Sequence, residues 1–391
     1  LLFGQFLKYQ QSFVLIRSKS NELNMKTKPK SNHSLASVLM KMILIMMLGL
    51  GVWLAYEVFY LQPADNWFEV KAKTSSSVNL PKDDAPHLAK MEWWYYNGHL
   101  WTESGKQFSF HYTTFMVTEL VSHLVKQVSL SDHQTGKHYT DQKRTTGGGF
   151  SSNIENGFEF LLDNWKMIGN DGNDQLIVST PQFSFNLKLT NTIPPVFHGT
   201  DGIIFLEEAG NSYYYSRTRM DITGTIKIGN TTETVRGLSW FDHQWGDFST
   251  NLLSWDWFSL QLDNGIDLMI YQLRDKHDKP LLYTGSITQN NVTEALLSSD
   301  FTLSQLGDQW TSKKTGYTYP ITWEIKIPKK NIYIKTRSKV ENSEFDAQLT
   351  TYNHYWEGAL KIEGTHTGRG FMELYGYINK KEPNASKSKK R

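Results

Sequence analysis

Phe183-Ser184-Phe185-Asn186-Leu187-Lys188-Leu189 is the stretch on which the fold class turns. Its apolar side chains occupy every second position, so an extended chain puts them on one face and Ser184, Asn186 and Lys188 on the other. A helix would scatter the same residues around its axis. The spacing recurs at Phe108/Phe110/Tyr112 and at Ile321/Trp323/Ile325/Ile327. Ile266 to Leu273 carries apolar residues on both faces, as expected of a strand covered on both sides. Asn97-Gly98, Asn156-Gly157, Asp171-Gly172, Asp201-Gly202 and Asn264-Gly265 read as turns between strands. Long amphipathic helical windows are nearly absent. Many short strands separated by turns predict an all-β sandwich or barrel.

Working outward, the 391 residues suffice for two large β units or two to three domains. The absence of Cys excludes disulfides, Cys-ligated zinc, iron–sulfur clusters and thiol nucleophiles. Charge is concentrated at the ends. Residues 1–41 hold seven Lys/Arg and one Glu, residues 380–391 six and one, and the body between them 28 basic against 37 acidic residues. An acidic body argues against a nucleic-acid partner. The tail Lys387-Ser388-Lys389-Lys390-Arg391 reads as a solvated end. Gly147-Gly148-Gly149 precedes neither a phosphate-binding Lys nor a helix pattern, and no Gly-x-Ser-x-Gly or His-Glu-x-x-His occurs. No cofactor and no metal are expected. His99 and His111, on neighbouring strands, are the least unsuitable pair for a metal.

Met25 opens a basic run, Lys26, Lys28, Lys30 and Lys41, ahead of the uncharged stretch Met42–Tyr56. Residues 1–24 are expected to lie upstream of the translated start. A basic flank before an apolar run is the layout of a signal anchor or signal peptide. The expectation is an anchoring helix at 42–61 in the inner membrane, with the C-terminal body in the periplasm, or a secreted body if the signal is cleaved. Residues 62–84 read as a linker.

Four aromatic-rich blocks remain. They are Glu92-Trp93-Trp94-Tyr95-Tyr96-Asn97-Gly98-His99; Tyr213-Tyr214-Tyr215-Ser216-Arg217 leading to Trp240-Phe241-Asp242-His243-Gln244-Trp245-Gly246; Trp255-Asp256-Trp257 running into Tyr271-Gln272-Leu273; and Tyr355-Trp356-Glu357-Gly358 with Met372-Glu373-Leu374-Tyr375-Gly376-Tyr377. In this order and spacing they resemble the AttH-like family of lipocalin-like proteins, which includes carotenoid 1,2-hydratases (hydroxyneurosporene synthases) and predicted secreted hydrolases. The resemblance runs from about Glu92 to Tyr377. It implies two consecutive lipocalin-like (calycin) β-barrels, at 85–235 and 236–380, and an apolar ligand. In the carotenoid hydratases the matching His and Trp are implicated in activity, with a Tyr-x-Asp pair on the following strand. Here Tyr271 is present, but Leu273 occupies the Asp position.

Hydration of an alkene needs an acid beside it and something to steady a cation. A carboxyl in an apolar pocket keeps its proton, and aromatic faces attract cations. Glu92, Asp242, His243 and Tyr271 are therefore the candidate catalytic residues. Asp242 and His243 are adjacent on a strand and must face opposite ways, whereas His243 and Trp245 share a face. Candidate ligand contacts are Trp93, Trp94, Tyr96, Arg217, Trp240, Trp245, Trp255, Trp257, Tyr355, Trp356 and Glu373. Each Trp has ordinary core packing as its alternative, Glu92 a bond to backbone or Arg, and Arg217 a buried ion pair. The leading expectation is a membrane-anchored carrier of a hydrophobic small molecule. The alternatives are a hydratase- or hydrolase-like enzyme on an isoprenoid-like substrate, and an accessory protein of a membrane permease complex.

Overall fold

The computed structural model describes residues 35–56, 77–118, 123–146, 150–151, 154–205, 210–248, 253–275 and 279–377. Most of the basic segment 1–41, the end of the expected anchor at 57–61, the linker as far as residue 76 and the tail 381–391 lie outside the described residues. The chain divides into two units, 1–61 and 62–391. In the first, Leu35–Tyr56 is a helix, rich in the strong helix formers Leu and Met and exposed along its described side chains. Among the described residues no helix is long and apolar enough to cross a membrane.

The second unit is nearly all β. One antiparallel sheet of 13 strands runs from Met91–Trp101 to Thr231–Gly246, and one of 10 strands from Leu253–Leu262 to Gly368–Tyr375. In each sheet the first strand pairs with both the second and the last. That pairing curls each meander into a barrel-like sheet. The seam between the sheets lies between Gly246 and Leu253, not at 235/236. The expected division would cut the strand Thr231–Gly246, which continues unbroken beside Met91–Trp101 and Asn211–Ile228. The Asp242–Gly246 block therefore belongs to the first sheet.

Alternation places the cores. Phe183, Phe185, Leu187 and Leu189 are buried, with exposed or half-buried residues between them. The first barrel is filled by Trp94, Tyr96, Phe110, Trp165, Phe185 and Phe241, and the second by Phe258, Trp323, Ile325, Trp356 and Leu374. A third apolar layer, including Tyr95, Trp240, Trp257 and Phe371, lies where the two sheets stack through their outer walls. Burying roughly 200 Å² per indole contributes about 5 kcal/mol before entropic costs, so these layers dominate the packing.

Asp171 and Gly172 (φ 48° and 74°) form the expected two-residue hairpin, bringing Asn170 opposite Asn173. Asn97-Gly98 is not a turn: both residues lie inside Met91–Trp101. Gly98 is there because a Cβ would sit 2.7 Å from the Phe110 ring. Asn97 reaches across the seam, its Nδ2 donating to Ser259 Oγ at 3.2 Å. Residues 77–84, read as linker, are folded onto the first barrel: Val78, Asp83 and Asp84 are buried, and the Val78 N–H donates to the Asp201 carbonyl at 3.1 Å.

Candidate functional site

Strand geometry sorts the conspicuous residues into two environments. On Met91–Trp101 the odd-numbered side chains face the second sheet, and the even-numbered ones enter the first barrel. On Thr231–Gly246 the sense reverses, so Trp240 and Asp242 face the second sheet while Phe241, His243 and Trp245 face inward. Between the two walls lies a cavity of about 680 Å³, lined by Trp93, Tyr95 and Phe115 on one side and Trp255, Trp257 and Tyr271 on the other.

Asp242 is the carboxyl of the first wall. It is buried, and its Oδ1 accepts from Trp240 Nε1 at 2.6 Å and from the Ser216 hydroxyl. Its Oδ2 accepts from Tyr214 Oη at 2.7 Å, and Tyr214 in turn accepts from Trp257 Nε1 across the seam at 3.2 Å. Burial pushes the Asp242 carboxyl up to about 7, against the three hydrogen bonds that favour its anion. The register explains its setting: Tyr95 stands opposite Asp242, and Asp242 opposite Ser216.

The second wall carries two more carboxyls. Trp257 stands opposite both Tyr271 and Glu373, and Glu373 opposite Glu357, so Tyr271, Trp257, Glu373 and Glu357 form one row across four strands. Glu373 Oε1 accepts from Trp255 Nε1 at 3.1 Å. Burial, with the Asp242 charge adding to it, pushes Glu373 up to about 7. Glu357 accepts from Tyr95 Oη at 2.5 Å and lies 3.2 Å from His111 Nδ1. Burial first, then the Glu373 charge, raises its carboxyl well above the usual range. Burial holds His111 neutral, well below the ordinary imidazole range. The Tyr271 hydroxyl is buried, faces the cavity and has no hydrogen-bond partner among the described residues. Leu273 lines the same cavity, opposite Trp255.

Glu92 and His243 are elsewhere. Their side chains enter the first barrel, where Glu92 Oε1 lies 2.8 Å from His243 Nε2 and 2.7 Å from His87 Nδ1, and Glu92 Oε2 accepts the His87 backbone N–H at 2.8 Å. His87 stacks on Trp245 at 4.0 Å, and Trp94 stacks on His243 at 4.4 Å. Burial alone would raise the Glu92 carboxyl, but the two histidines hold it below its ordinary value. His87 is raised by Glu92 and Asp83 despite burial, and His243 is lowered by burial. His87, Glu92 and His243 have the donor set of a metal site. Their ring nitrogens converge on a carboxylate oxygen at hydrogen-bond distance, the geometry of a closed hydrogen-bonded knot. The knot continues into a buried ion pair. Arg217 donates from Nη1 and Nη2 to the two oxygens of Asp84, each at 2.9 Å, and Tyr215 donates to Asp84 as well. Asp84 and His87 belong to the segment laid across this part of the barrel, so Glu92, His243 and Arg217 fasten that segment rather than touch the cavity.

The sequence profile of the AttH-like family matches residues 71–377. The chain belongs to the AttH-like family. A Nitrosomonas europaea protein designated AttH superposes with a TM-score of 0.72 at 26% identity, over 78% of this chain and 99% of that one. Kievitone hydratase of Nectria haematococca superposes with a TM-score of 0.64 at 17% identity, over 78% and 96%, a likeness of fold. The dehydratase asqC of Emericella nidulans is 28% identical over 208 residues, which are 50% of this chain and 59% of that protein. The match therefore spans less than two thirds of that relative.

In this AttH-like protein the cavity gathers Trp93, Trp255, Trp257, Tyr355, Glu373, Asp242 and Tyr271 of the expected residues. Trp240 packs behind Asp242, meeting Trp257 edge-on. Trp94, Tyr96, Trp245 and Arg217 lie in the first barrel, and Trp356 lies in the core of the second. Tyr95, Tyr214 and Glu357 are functional candidates that the motif reading passed over. Period two was the available signal: Trp93 implies Tyr95, and Tyr355 implies Glu357.

The raised carboxyls make a stability prediction. A native carboxyl at about 7 binds a proton that the unfolded chain has released above about 4, so stability falls as pH rises between those values. The double variant Asp242→Asn/Glu373→Gln is expected to exceed the parent in urea stability at pH 8 by on the order of 1–4 kcal/mol. The excess should shrink as pH falls and approach zero only near pH 4. An excess that is the same at both pH values would refute it.

Proposed function

We propose that this AttH-like protein is a hydratase- or dehydratase-type enzyme acting on a neutral, largely apolar substrate in the cavity between the two sheets. The observation that carries the reading is the convergence of proton-holding carboxyls and the unpartnered Tyr271 hydroxyl on one aromatic-walled space. The family's relative named as a dehydratase supports it. A simple carrier has no use for carboxyls in its walls, because burying them costs free energy that apolar residues would not. Enzymes accept that cost to hold a proton near neutral pH.

In the dehydration direction, the protonated Asp242 carboxyl turns its hydrogen from its resting contact with Ser216 into the cavity and gives it to the substrate hydroxyl. The C–O bond breaks and water leaves. The ionised Glu373 carboxylate takes a proton from the neighbouring carbon, and the C=C bond forms. Hydration is the same path reversed. Because the charge of one raises the pKa of the other, the two carboxyls favour one proton between them near neutral pH. The faces of Trp93, Trp255 and Trp257 steady positive charge at the reacting carbon, by about 0.5–2 kcal/mol each. Tyr271 orients the hydroxyl or water. Glu357, held by Tyr95 and His111, shapes the far end of the row.

The test is oxygen exchange. The full chain is incubated in ¹⁸O-water with a panel of neutral terpenoid and polyketide-like tertiary and allylic alcohols and their alkenes, and ¹⁸O incorporation is read by mass spectrometry. Trp fluorescence quenching reports binding in parallel. Binding without exchange across the panel would leave a carrier and overturn the enzyme. Tyr271→Phe is expected to lower the exchange rate about 3–10-fold, the worth of one hydrogen bond, without loss of thermal stability, since that hydroxyl has no partner to lose among the described residues. A lower melting temperature with unchanged exchange would contradict this.

We extend the proposal to placement. The basic flank and the uncharged run Met42–Tyr56 support an anchor in the inner membrane with the two-sheet body on the periplasmic side. Protease accessibility in spheroplasts against intact cells would test it.

A further inference from the structure

Behind Asp242, on the side away from the cavity, a chain of hydrogen bonds leads to a histidine that no motif singled out. Ser216 Oγ touches Asp242 Oδ1 and lies 2.6 Å from His198 Nε2. His198 Nδ1 lies 3.1 Å from Ser286 Oγ, on the strand Pro280–Gln289 of the second sheet. All four residues are buried, and the His198 ring rests against Tyr214 at 4.3 Å between centroids.

Donor counting gives this chain two self-consistent states. When Asp242 is ionised, Ser216 donates to it, His198 Nε2–H donates to Ser216, and Nδ1 accepts from Ser286. When Asp242 is protonated on Oδ1, Trp240 offers that oxygen only a donor, so the new hydrogen must point at Ser216. Ser216 then offers a hydrogen to His198 Nε2, and the imidazole proton sits on Nδ1, facing Ser286. The change balances when one proton from water arrives by way of Ser286 at Nδ1, the Nε2 hydrogen passes to Ser216, and the former Ser216 hydrogen becomes that of Asp242. We propose that His198 is a positioning residue: by exchanging tautomers through Ser216, it lets Asp242 gain and lose a proton with every buried partner still bonded. No net charge moves onto the ring, whose pKa burial pushes down to about 3.

The groups that face Asp242 are Tyr214 and Ser216 on Asn211–Ile228, Trp240 on its own strand, Tyr271 across the cavity and the Glu373 charge from Gly368–Tyr375. Tyr214 is the competing outlet. Protonation on Oδ2 would turn the Tyr214 hydrogen toward the cavity and leave His198 unchanged.

The inference rests on Asp242 as the proton-exchanging group of the proposed enzyme, but its readout needs no substrate. Full-length protein labelled with ¹⁵N-His and ¹³C-Asp is titrated from pH 5 to 9 by NMR, with His198→Gln assigning the ring signals and Asp242→Asn the carboxyl. The expected result is a neutral His198 ring at every pH. Its proton should sit on Nδ1 at the acid end and on Nε2 at the alkaline end, with the midpoint of the Asp242 carboxyl. Ser216→Ala should freeze the tautomer while Asp242 still titrates. One fixed tautomer throughout, an imidazolium signal, or a carboxyl that does not titrate in this range would each overturn the proposal. Failure of every substrate to exchange oxygen would instead remove the enzyme reading and leave the tautomer result standing.

Discussion

Asp242→Asn is expected to leave the protein folded and to lower its exchange or turnover rate by about 10²–10⁴-fold, the usual worth of a positioned general acid or base. Asn keeps the acceptor that Trp240 and Ser216 use and offers Tyr214 an amide hydrogen, so the wall is preserved and only the transferable proton is lost. Glu373→Gln should cost a comparable factor. The double variant should cost little more than the worse of the two, because acid and base act on one event. Circular dichroism and initial rates on the same preparations decide the matter. A rate within threefold of the parent would remove Asp242 from the chemistry.

Asp84→Ala is expected to destabilise the body by about 3–5 kcal/mol, measured by urea unfolding. The Arg217 guanidinium is 1% exposed, its Nη1 and Nη2 each donate to Asp84 at 2.9 Å, and the Asp171 backbone N–H and the Tyr215 hydroxyl use the same carboxylate. Removing it strands a buried cation and detaches the segment that carries His87. Adding Arg217→Met to Asp84→Ala should recover a large part of the loss, since the penalty lies in the unpaired charge. A single-variant loss under 1 kcal/mol would show that water or Asp171, 3.8 Å from Arg217, takes over the pairing.

The alternation at Phe183–Leu189 was enough to read the β architecture, and the opposite facing of Asp242 and His243 follows from strand geometry alone. What could not be read is long-range. Asn97-Gly98 has turn chemistry, but its glycine answers to the Phe110 ring on the next strand. Asp84 and His87 carried no motif because the groups that fix them lie far along the chain, Arg217 for Asp84 and the stacked Trp245 ring for His87. Leu273 brings no titratable group to the cavity. Glu373 supplies a carboxyl from a strand joined to that wall only by sheet pairing. The tryptophans divide between seam and cores by parity of position, a distinction invisible while they are counted as blocks.

The seam itself limits how this molecule can be taken apart. Since each sheet supplies half of the chamber, a fragment ending at Gly246 would leave Trp93, Tyr95 and Trp240 naked to water, and its complement would do the same with Trp257 and Phe371. Such pieces would clump before they could be assayed, so dissecting the protein calls for point changes within an intact chain.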